Sequence, residues 1–212
     1  MSHSIHNQVY NKIVKSKRGK LFFPSEFSAI GNEIAVNMAL SRLEKDKVLE
    51  RIAQGIYLYP KKDPEFGNLY PSTEEIATSI AKRDHAKIIP TGAAALQKIG
   101  LSTQVPMNLV YLTNGAPRKI KIGKQKITFK PTTAKKLATK GQISTLVIQA
   151  LQKLGQKNID EQVIEQITGV LKNESIKSLI HDVKFTPAWI AKILNQIIAS
   201  FQNDSSLAPT NA

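Results

Sequence analysis

The stretch from Gly19 to Pro60 changes its hydrophobic period repeatedly between glycine breaks, and few successions of elements satisfy it. Pro24-Ser-Glu opens a short helix with Ser25 as N-cap. Gly31 ends it, in the positive-φ conformation that helix C-caps favour. Asn32 then caps a longer helix in which Val36, Ala39, Leu40 and Leu43 converge on one face and must turn inward. Val48, Leu49 and Ile52 are set to pair with Ile56, Tyr57, Leu58 and Tyr59 around Ala53-Gln54-Gly55, a glycine-containing hairpin loop. Upstream, Ile5, Val9, Ile13 and Val14 recur at helical spacing and predict a helix over residues 4–16 that covers the same core.

Helix, short helix, glycine turn, amphipathic helix and ribbon, in that order, read as a winged helix-turn-helix over residues 1–62. Such a unit sets one helix in a DNA major groove and a ribbon beside it. The outward face of the amphipathic helix carries Ile34, Asn37, Met38, Ser41 and Lys45, with Arg42 on its flank. Asn37, Ser41 and Arg42 are the candidate base readers, since asparagine and arginine pair bidentately with adenine and guanine. Ile34 or Met38 would touch a thymine methyl. Lys17, Arg18, Lys20, Lys45, Lys47, Arg51 and Gln54 are candidates for the phosphate backbone, a role that needs only charge or a donor, and reach. The bland alternative is a solvated helix face, with Ile34 or Met38 packed on the preceding helix and Lys15, Lys17, Arg18 and Lys20 in a solvated loop.

The ribbon beside the helix tips the balance to the first reading, and charge agrees with it. The chain has 30 Lys+Arg and 16 Asp+Glu, a net charge of +14, and the excess is confined. Residues 1–62 hold 11 basic and 5 acidic side chains, residues 63–140 hold 13 and 5, and residues 141–212 hold 6 and 6. A basic balance of this kind fits a polyanionic partner. Within residues 118–140 lie Arg118, Lys119, Lys121, Lys124, Lys126, Lys130, Lys135, Lys136 and Lys140, without one acidic residue. Lysines also guard sheet edges, but nine exceed that need, and Arg118, Lys119, Lys121, Lys124, Lys126 and Lys130 are read as a second basic surface for DNA or RNA.

Residues 63–140 read as a small α/β domain. Lys61–Pro71 looks like a linker, Ser72-Thr-Glu-Glu75 is a capping box opening a helix through Arg83, Lys87–Pro90 and Asn108–Thr113 read as strands, and Gly92–Ile99 as a helix. Ile120, Ile122, Ile127 and Phe129 alternate with lysines around Gly123 as a hairpin with one apolar and one basic face. Residues 141–202 turn helical, with apolar stripes over 143–154 and 163–171, an Asn158/Glu161 cap signal, and a last helix opened by Thr186-Pro187. Their apolar faces are expected to pack against the middle domain, with any surplus open to a homodimer or a protein partner, and residues 203–212 read as a disordered tail. The expected class is α+β.

The pattern Ala39-Leu-Ser-Arg-Leu43, Asp46-Lys-Val-Leu49, Arg51-Ile52 and Gly55-Ile-Tyr57 resembles the N-terminal winged helix of AbiEi-type antitoxins. The resemblance continues through Ile89-Pro-Thr-Gly-Ala-Ala-Ala-Leu96, Gly100-Leu-Ser-Thr-Gln-Val-Pro106 and Val110-Tyr-Leu-Thr113, covering roughly residues 5–135. It implies the regulator half of a type IV, abortive-infection toxin–antitoxin pair. Such a protein represses its own operon by occupying double-stranded operator DNA, and counteracts a nucleotidyltransferase-like toxin. A protein-binding antitoxin that inhibits its toxin by direct contact, and an RNA-binding module, are the rival readings.

Catalytic and cofactor motifs are missing from the sequence. His3, His6, His85 and His181 have no ligand-spaced companions, and no phosphate loop, dinucleotide fingerprint or nucleophile elbow occurs. Asp63-Pro-Glu65 is the only closely spaced carboxylate pair of the Asp-X-Asp/Glu type, and it sits in the supposed linker. The expectation is therefore a non-enzyme with no catalytic residue, cofactor or metal. With no cysteine, no signal-like N-terminus and no membrane-length apolar run, it is also a cytoplasmic one.

Overall fold

The first helix, α1 (Ile5–Val14), starts where the Ser4 hydroxyl accepts the Asn7 amide at 3.3 Å, and it buries Val9 and Ile13. Val14, expected inward, is exposed, because it stands 100° beyond Ile13 and off the Val9–Ile13 stripe. The computed structural model describes residues 4–206. They divide into two compact units, one from the chain up to Ile80 with Ile120–Gln125, the other from Ala81–Lys119 and Lys126 onward. The chain is of mixed α+β class.

In the first unit, β1 (Leu21–Phe22) was not foreseen; two residues carry no period. The short helix expected next is a single 3-10 turn, Pro24–Phe27. Ser25 does not cap it: the Phe23 amide at its start donates to the Glu26 carboxylate at 3.1 Å. Gly31 is absent from the positive-φ residues, so its role is space. A Cβ there would come within 2.8 Å of Ile5 Cδ1, and glycine lets the turn press on α1. Asn32 does cap α2 (Glu33–Lys45), its side chain accepting the Ala35 amide at 2.9 Å. The helix ends in a Schellman arrangement, with the Lys47 amide bonded to the Glu44 carbonyl and the Val48 amide to that of Leu43, both at 3.0 Å. Lys47 takes the positive-φ position, at +57°.

Val48 and Leu49 belong to that turn, so β2 starts later than expected (Glu50–Ala53) and pairs with β3 (Ile56–Leu58) across a bulge between Arg51 and Ala53. The sheet order is β1-β3-β2. Phe22, Phe27, Val36, Leu40, Leu43 and Leu49 close the core with Val9 and Ile13. Full burial of each large side chain stabilises by about 1.5–3 kcal/mol. Where a linker was expected, β4 (Lys61–Asp63) and β5 (Gly67–Leu69) form a hairpin. Its turn is set by the Asp63 carboxylate, which accepts the Glu65 and Phe66 amides at 2.9 and 3.1 Å, and by Gly67 at φ +73°. The capping box opens α3 (Thr73–Arg83) as expected, with the Ser72 hydroxyl taking the Glu75 amide and the Glu75 carboxylate the Ser72 amide. The Thr73 hydroxyl bonds the Gln125 side chain, holding the tip of a later hairpin to this unit.

Next, β6 (Ile88–Pro90), α4 (Ala93–Lys98), β7 (Asn108–Thr113), β8 (Arg118–Ile122) and β9 (Gln125–Pro131) follow the expected order; all belong to the second unit except Ile120–Gln125. The sheet runs β6-β7-β9-β8, with β7 antiparallel to β6 and parallel to β9. Then come α5 (Gln142–Leu154), α6 (Glu161–Leu171), α7 (Ile176–Val183) and α8 (Ala188–Ser206). Their stripes pack on one another and on α4 around Val147, Leu151, Ile167, Leu171, Ile190 and Leu194. Asn158 does not cap α6; it donates to the Leu154 carbonyl, and Asp160 caps instead, accepting the Val163 amide at 2.9 Å. Helix α7 went unread. Thr186 turns its hydroxyl back to the Val183 carbonyl, and α8 runs on to Ser206 where a tail was expected from Asn203; residues 207–212 lie outside the described ones.

One buried carboxylate organises this unit. Asp182, with no solvent exposure, accepts the Lys140 amide at 2.8 Å, the Gly141 amide at 2.9 Å, the Ser144 hydroxyl at 2.5 Å and His181 Nδ1 at 2.8 Å. Glu174 takes the Ile143 and Ser144 amides at 2.8 and 3.1 Å. Together they take up the Gly141, Ile143 and Ser144 amides at the α5 N-terminus, where negative charge also meets the positive end of the helix dipole. Gly141 is required for this approach, since a Cβ would fall 2.3 Å from Ser144 Oγ and 2.5 Å from Glu174 Oε2. Burial pushes the Asp182 pKa up, but hydrogen bonds from His181, Ser144 and the Lys140 and Gly141 amides outweigh it and hold the pKa below the usual carboxylate value.

A lowered native pKa means that the stabilisation is fully present above the unfolded value of about 3.9 and is lost as pH falls through the native value. Asp182→Ala strands the buried donors and should destabilise the second unit by roughly 3 kcal/mol at neutral pH. It should also flatten the acid limb of stability against pH, both read by urea denaturation from pH 7 downward. An unchanged acid limb would count against this role.

Candidate nucleic-acid interface

Helix α2 presents two unlike faces. Val36, Ala39, Leu40 and Leu43 are buried, while Asn37, Ser41, Arg42 and Lys45 are exposed, as are Ile34 at 74% and Met38 at 53%. The expectation that Ile34 or Met38 might pack on the preceding helix is not met. The side chains of Asn37, Ser41, Arg42 and Lys45 make no hydrogen bond or ion pair within the described residues, so the face is chemically uncommitted. Ile34 and Met38, four residues apart on one helix face, together form a small exposed apolar patch amid these free donors.

The β2–β3 hairpin lies next along the chain. Gln54 is exposed at its tip, followed by Gly55 at φ +68°, where the turn needs glycine's conformational freedom. Arg51 is exposed, with its guanidinium 6.0 Å from the Tyr57 ring. The basic cluster after α1 divides. Lys17 is exposed and uncommitted, whereas Arg18 donates to the Pro60 carbonyl at 3.1 Å and lies 4.8 Å over the Tyr59 ring. Lys20 pairs with Glu26 at 3.6 Å and covers the Phe22 ring at 4.6 Å. These two therefore tie the first unit together besides carrying charge.

The second basic surface is built by strand alternation. Along β9, Lys126 and Lys130 are exposed while Ile127 and Phe129 are buried; along β8, Lys119 and Lys121 are exposed between half-buried Arg118, Ile120 and Ile122. Lys124 is exposed in the turn. Arg118 departs from the expectation of a cation without counter-charge: it pairs with Asp84 and covers the Phe129 ring at 5.8 Å. Burial opposes the Asp84 carboxylate, but Arg83 and Arg118 prevail and hold its pKa below the ordinary value. Strand β8 is an edge of its sheet, so Lys119 and Lys121 also meet the edge-guarding role.

The residues that sequence reading missed are those of the Asp182 clamp, whose partners stand 38 to 42 positions away. No local signal could find them. Ser144, His181 and Asp182 have the composition of a nucleophilic triad but not its geometry. The serine hydroxyl bonds the carboxylate rather than the imidazole, and the imidazole bonds the same carboxylate, so no base is placed on the hydroxyl. Among the described residues, no three His, Asp or Glu come together as a metal site, and no helix is long and apolar enough to cross a membrane.

Residues 8–179 match a family described only as being of unknown function, DUF6088, and the match runs from α1 into α7. The chain belongs to that family. No curated protein matches it. Family membership thus spans both compact units, the α2 surface and the lysine hairpin included.

The Asn32 cap sets where α2 begins, and with it the height at which the outward face starts. Asn32→Ala should cost about 1 kcal/mol of stability, with Asn32→Asp restoring most of it. Chemical denaturation of the three proteins checks this, and equal midpoints would deny Asn32 the cap role.

Proposed function

We propose that the chain is a winged-helix, DNA-binding regulator without catalytic activity, of the antitoxin type its sequence resembles. The reading rests on one observation above the rest: the outward face of α2, where Asn37, Ser41, Arg42 and Lys45 stand uncommitted beside exposed Ile34 and Met38. The order helix, short strand, tight turn, long helix and ribbon, with β1 beyond β3, supports a winged helix with α2 as its recognition helix. Asn37, Ser41 and Arg42 read base edges; Ile34 or Met38 meets a thymine methyl. Lys17, Lys45, Lys47, Arg51 and Gln54 hold phosphates, with Arg18 and Lys20 adding charge from fixed positions. The exposed lysines of the β8–β9 hairpin add a further phosphate-binding strip, and two of them, Lys121 and Lys124, belong to the same compact unit as α2.

Regulation then needs no chemistry. Occupying the operator in front of its own gene is enough to repress, and a cytoplasmic nucleotidyltransferase-like toxin from the adjacent gene is the partner that the resemblance implies. Unit two offers a second reading, direct contact with such a toxin, because it exposes Val105, Met107, Ile176 and Ile180.

Duplex DNA from upstream of the gene should be bound in a footprinting assay at low salt and micromolar protein, with affinity falling steeply as salt rises. Arg42→Ala and Ser41→Ala should each cost about 1–3 kcal/mol on the cognate site and relax discrimination. Indifference of the operator to both changes would remove α2 from the groove. Replacing Lys121, Lys124 and Lys126 by glutamine should flatten the slope of log affinity against log salt by about one unit per lost phosphate contact, with the melting temperature little changed. A slope equal to the parent's would return those lysines to guarding the sheet edge.

A further inference from the structure

The first unit holds a groove of about 850 Å³ beside the α2 surface; it shares Arg18, Lys47 and Arg51 with the proposed phosphate contacts but adds a wall that those contacts leave unused. Tyr10 and Val14 of α1 form one wall, and Arg18, Lys47, Arg51 and Lys62 stand around it with the carboxylates of Glu44 and Glu50. The volume falls within the roughly 300–1,000 Å³ of small-molecule sites. Arg18, Lys47, Arg51 and Lys62 are all exposed, and among the described residues none of them pairs with Glu44, Glu50 or any other carboxylate. Tyr10 and Val14 are exposed on the same wall, at 40% and 37%, as apolar surface that the core does not claim.

Lys47 sharpens the case. It occupies the positive-φ position of the Schellman turn, where glycine is the usual residue and an L side chain is disfavoured. The chain keeps a strained residue whose side chain lines the groove, and such strain concentrates at binding sites. Glu50 is held in place by the Tyr70 hydroxyl at 2.8 and 3.0 Å.

We propose that this groove binds a nucleoside phosphate, with Lys47, Arg51, Arg18 and Lys62 on the phosphate, the base against Tyr10 and Val14, and Glu44 or Glu50 accepting from sugar hydroxyls or a base amino group. The mixed lining selects for that class. Cations alone would suit any polyanion, but two carboxylates repel a bare phosphate chain and match the donors of a nucleoside. An aromatic and aliphatic wall beside them suits the face of a base. The ligand is either a free nucleotide or the unpaired, phosphorylated end of a strand, since both present the same chemistry. The site goes beyond operator binding; Arg18, Lys47 and Arg51 serve both readings, and Tyr10 belongs to the groove alone.

Isothermal titration of the full chain with adenosine 5′-diphosphate, adenosine, pyrophosphate and a 5′-phosphorylated single-stranded oligoadenylate tests this. Binding of the diphosphate or the oligonucleotide, at least about tenfold tighter than either adenosine or pyrophosphate, supports the site; the tighter of the two names the source. Pyrophosphate binding as well as the diphosphate overturns it, as does no binding by any probe. Lys47→Gly separates function from folding: it relieves strain, so stability should hold or rise, while affinity should drop about tenfold. Tyr10→Ala should weaken the nucleotide and spare operator DNA, and Arg42→Ala should do the reverse. A nucleotide affinity that survives both Lys47→Gly and Tyr10→Ala overturns the placement.

Discussion

The N-terminal unit depends on the burial of one stripe of α2. Val36, Ala39, Leu40 and Leu43 fill the space between α1, the aromatic pair Phe22 and Phe27, and Tyr57 on β3. That single packing decision orients the helix about its own axis. With the stripe inward, the wheel leaves Ile34, Asn37, Met38, Ser41 and Lys45 no position but outward. Every functional statement about α2 follows from it. The neighbouring elements serve the same end: the close approach at Gly31 brings the turn onto Ile5, the Asn32 cap fixes the start, and the Schellman turn at Lys47 directs the chain into β2.

The second unit is held differently. Its helices pack by ordinary apolar stripes, but their assembly converges on the α5 N-terminus, where Asp182 and Glu174 take up amides and a hydroxyl that would otherwise be buried unpaired. A buried carboxylate is tolerated only when its hydrogen bonds repay desolvation. Four donors on Asp182 meet that condition, and the same bonds hold its pKa below the usual carboxylate value. The result resembles a catalytic cluster in its residues and a joint in its function.

Charge is used in two registers. Arg18, Lys20 and Arg118 are anchored by a carbonyl, a carboxylate or a ring, so they spend part of their interaction energy on the fold. Lys17, Lys45, Lys47, Lys121 and Lys126 are exposed and unanchored among the described residues. A solvated lysine contributes little to stability, which leaves the second group free for a partner. Belonging to a family of unknown function adds breadth to these observations without supplying a role.

Periodicity alone determined where most elements lie, which face of α2 is buried, that β8 and β9 alternate lysine with apolar residues, and that α5, α6 and α8 are amphipathic. Those are local properties, because a residue's place on a wheel or pleat depends only on its neighbours within a turn or two. Tertiary structure decided the rest. Ser25 loses its cap to Glu26, Gly31 serves space rather than φ, Asp160 replaces Asn158, and the supposed linker folds into a hairpin with Pro64 in its turn. Each outcome turned on which nearby group competed best for a backbone amide, or on how closely another element approached. The Asp182 clamp, the Arg118–Asp84 pair and the groove beside Lys47 join residues far apart in the chain. Through-space contacts between distant segments leave no period in the sequence, and only the folded chain brings them together.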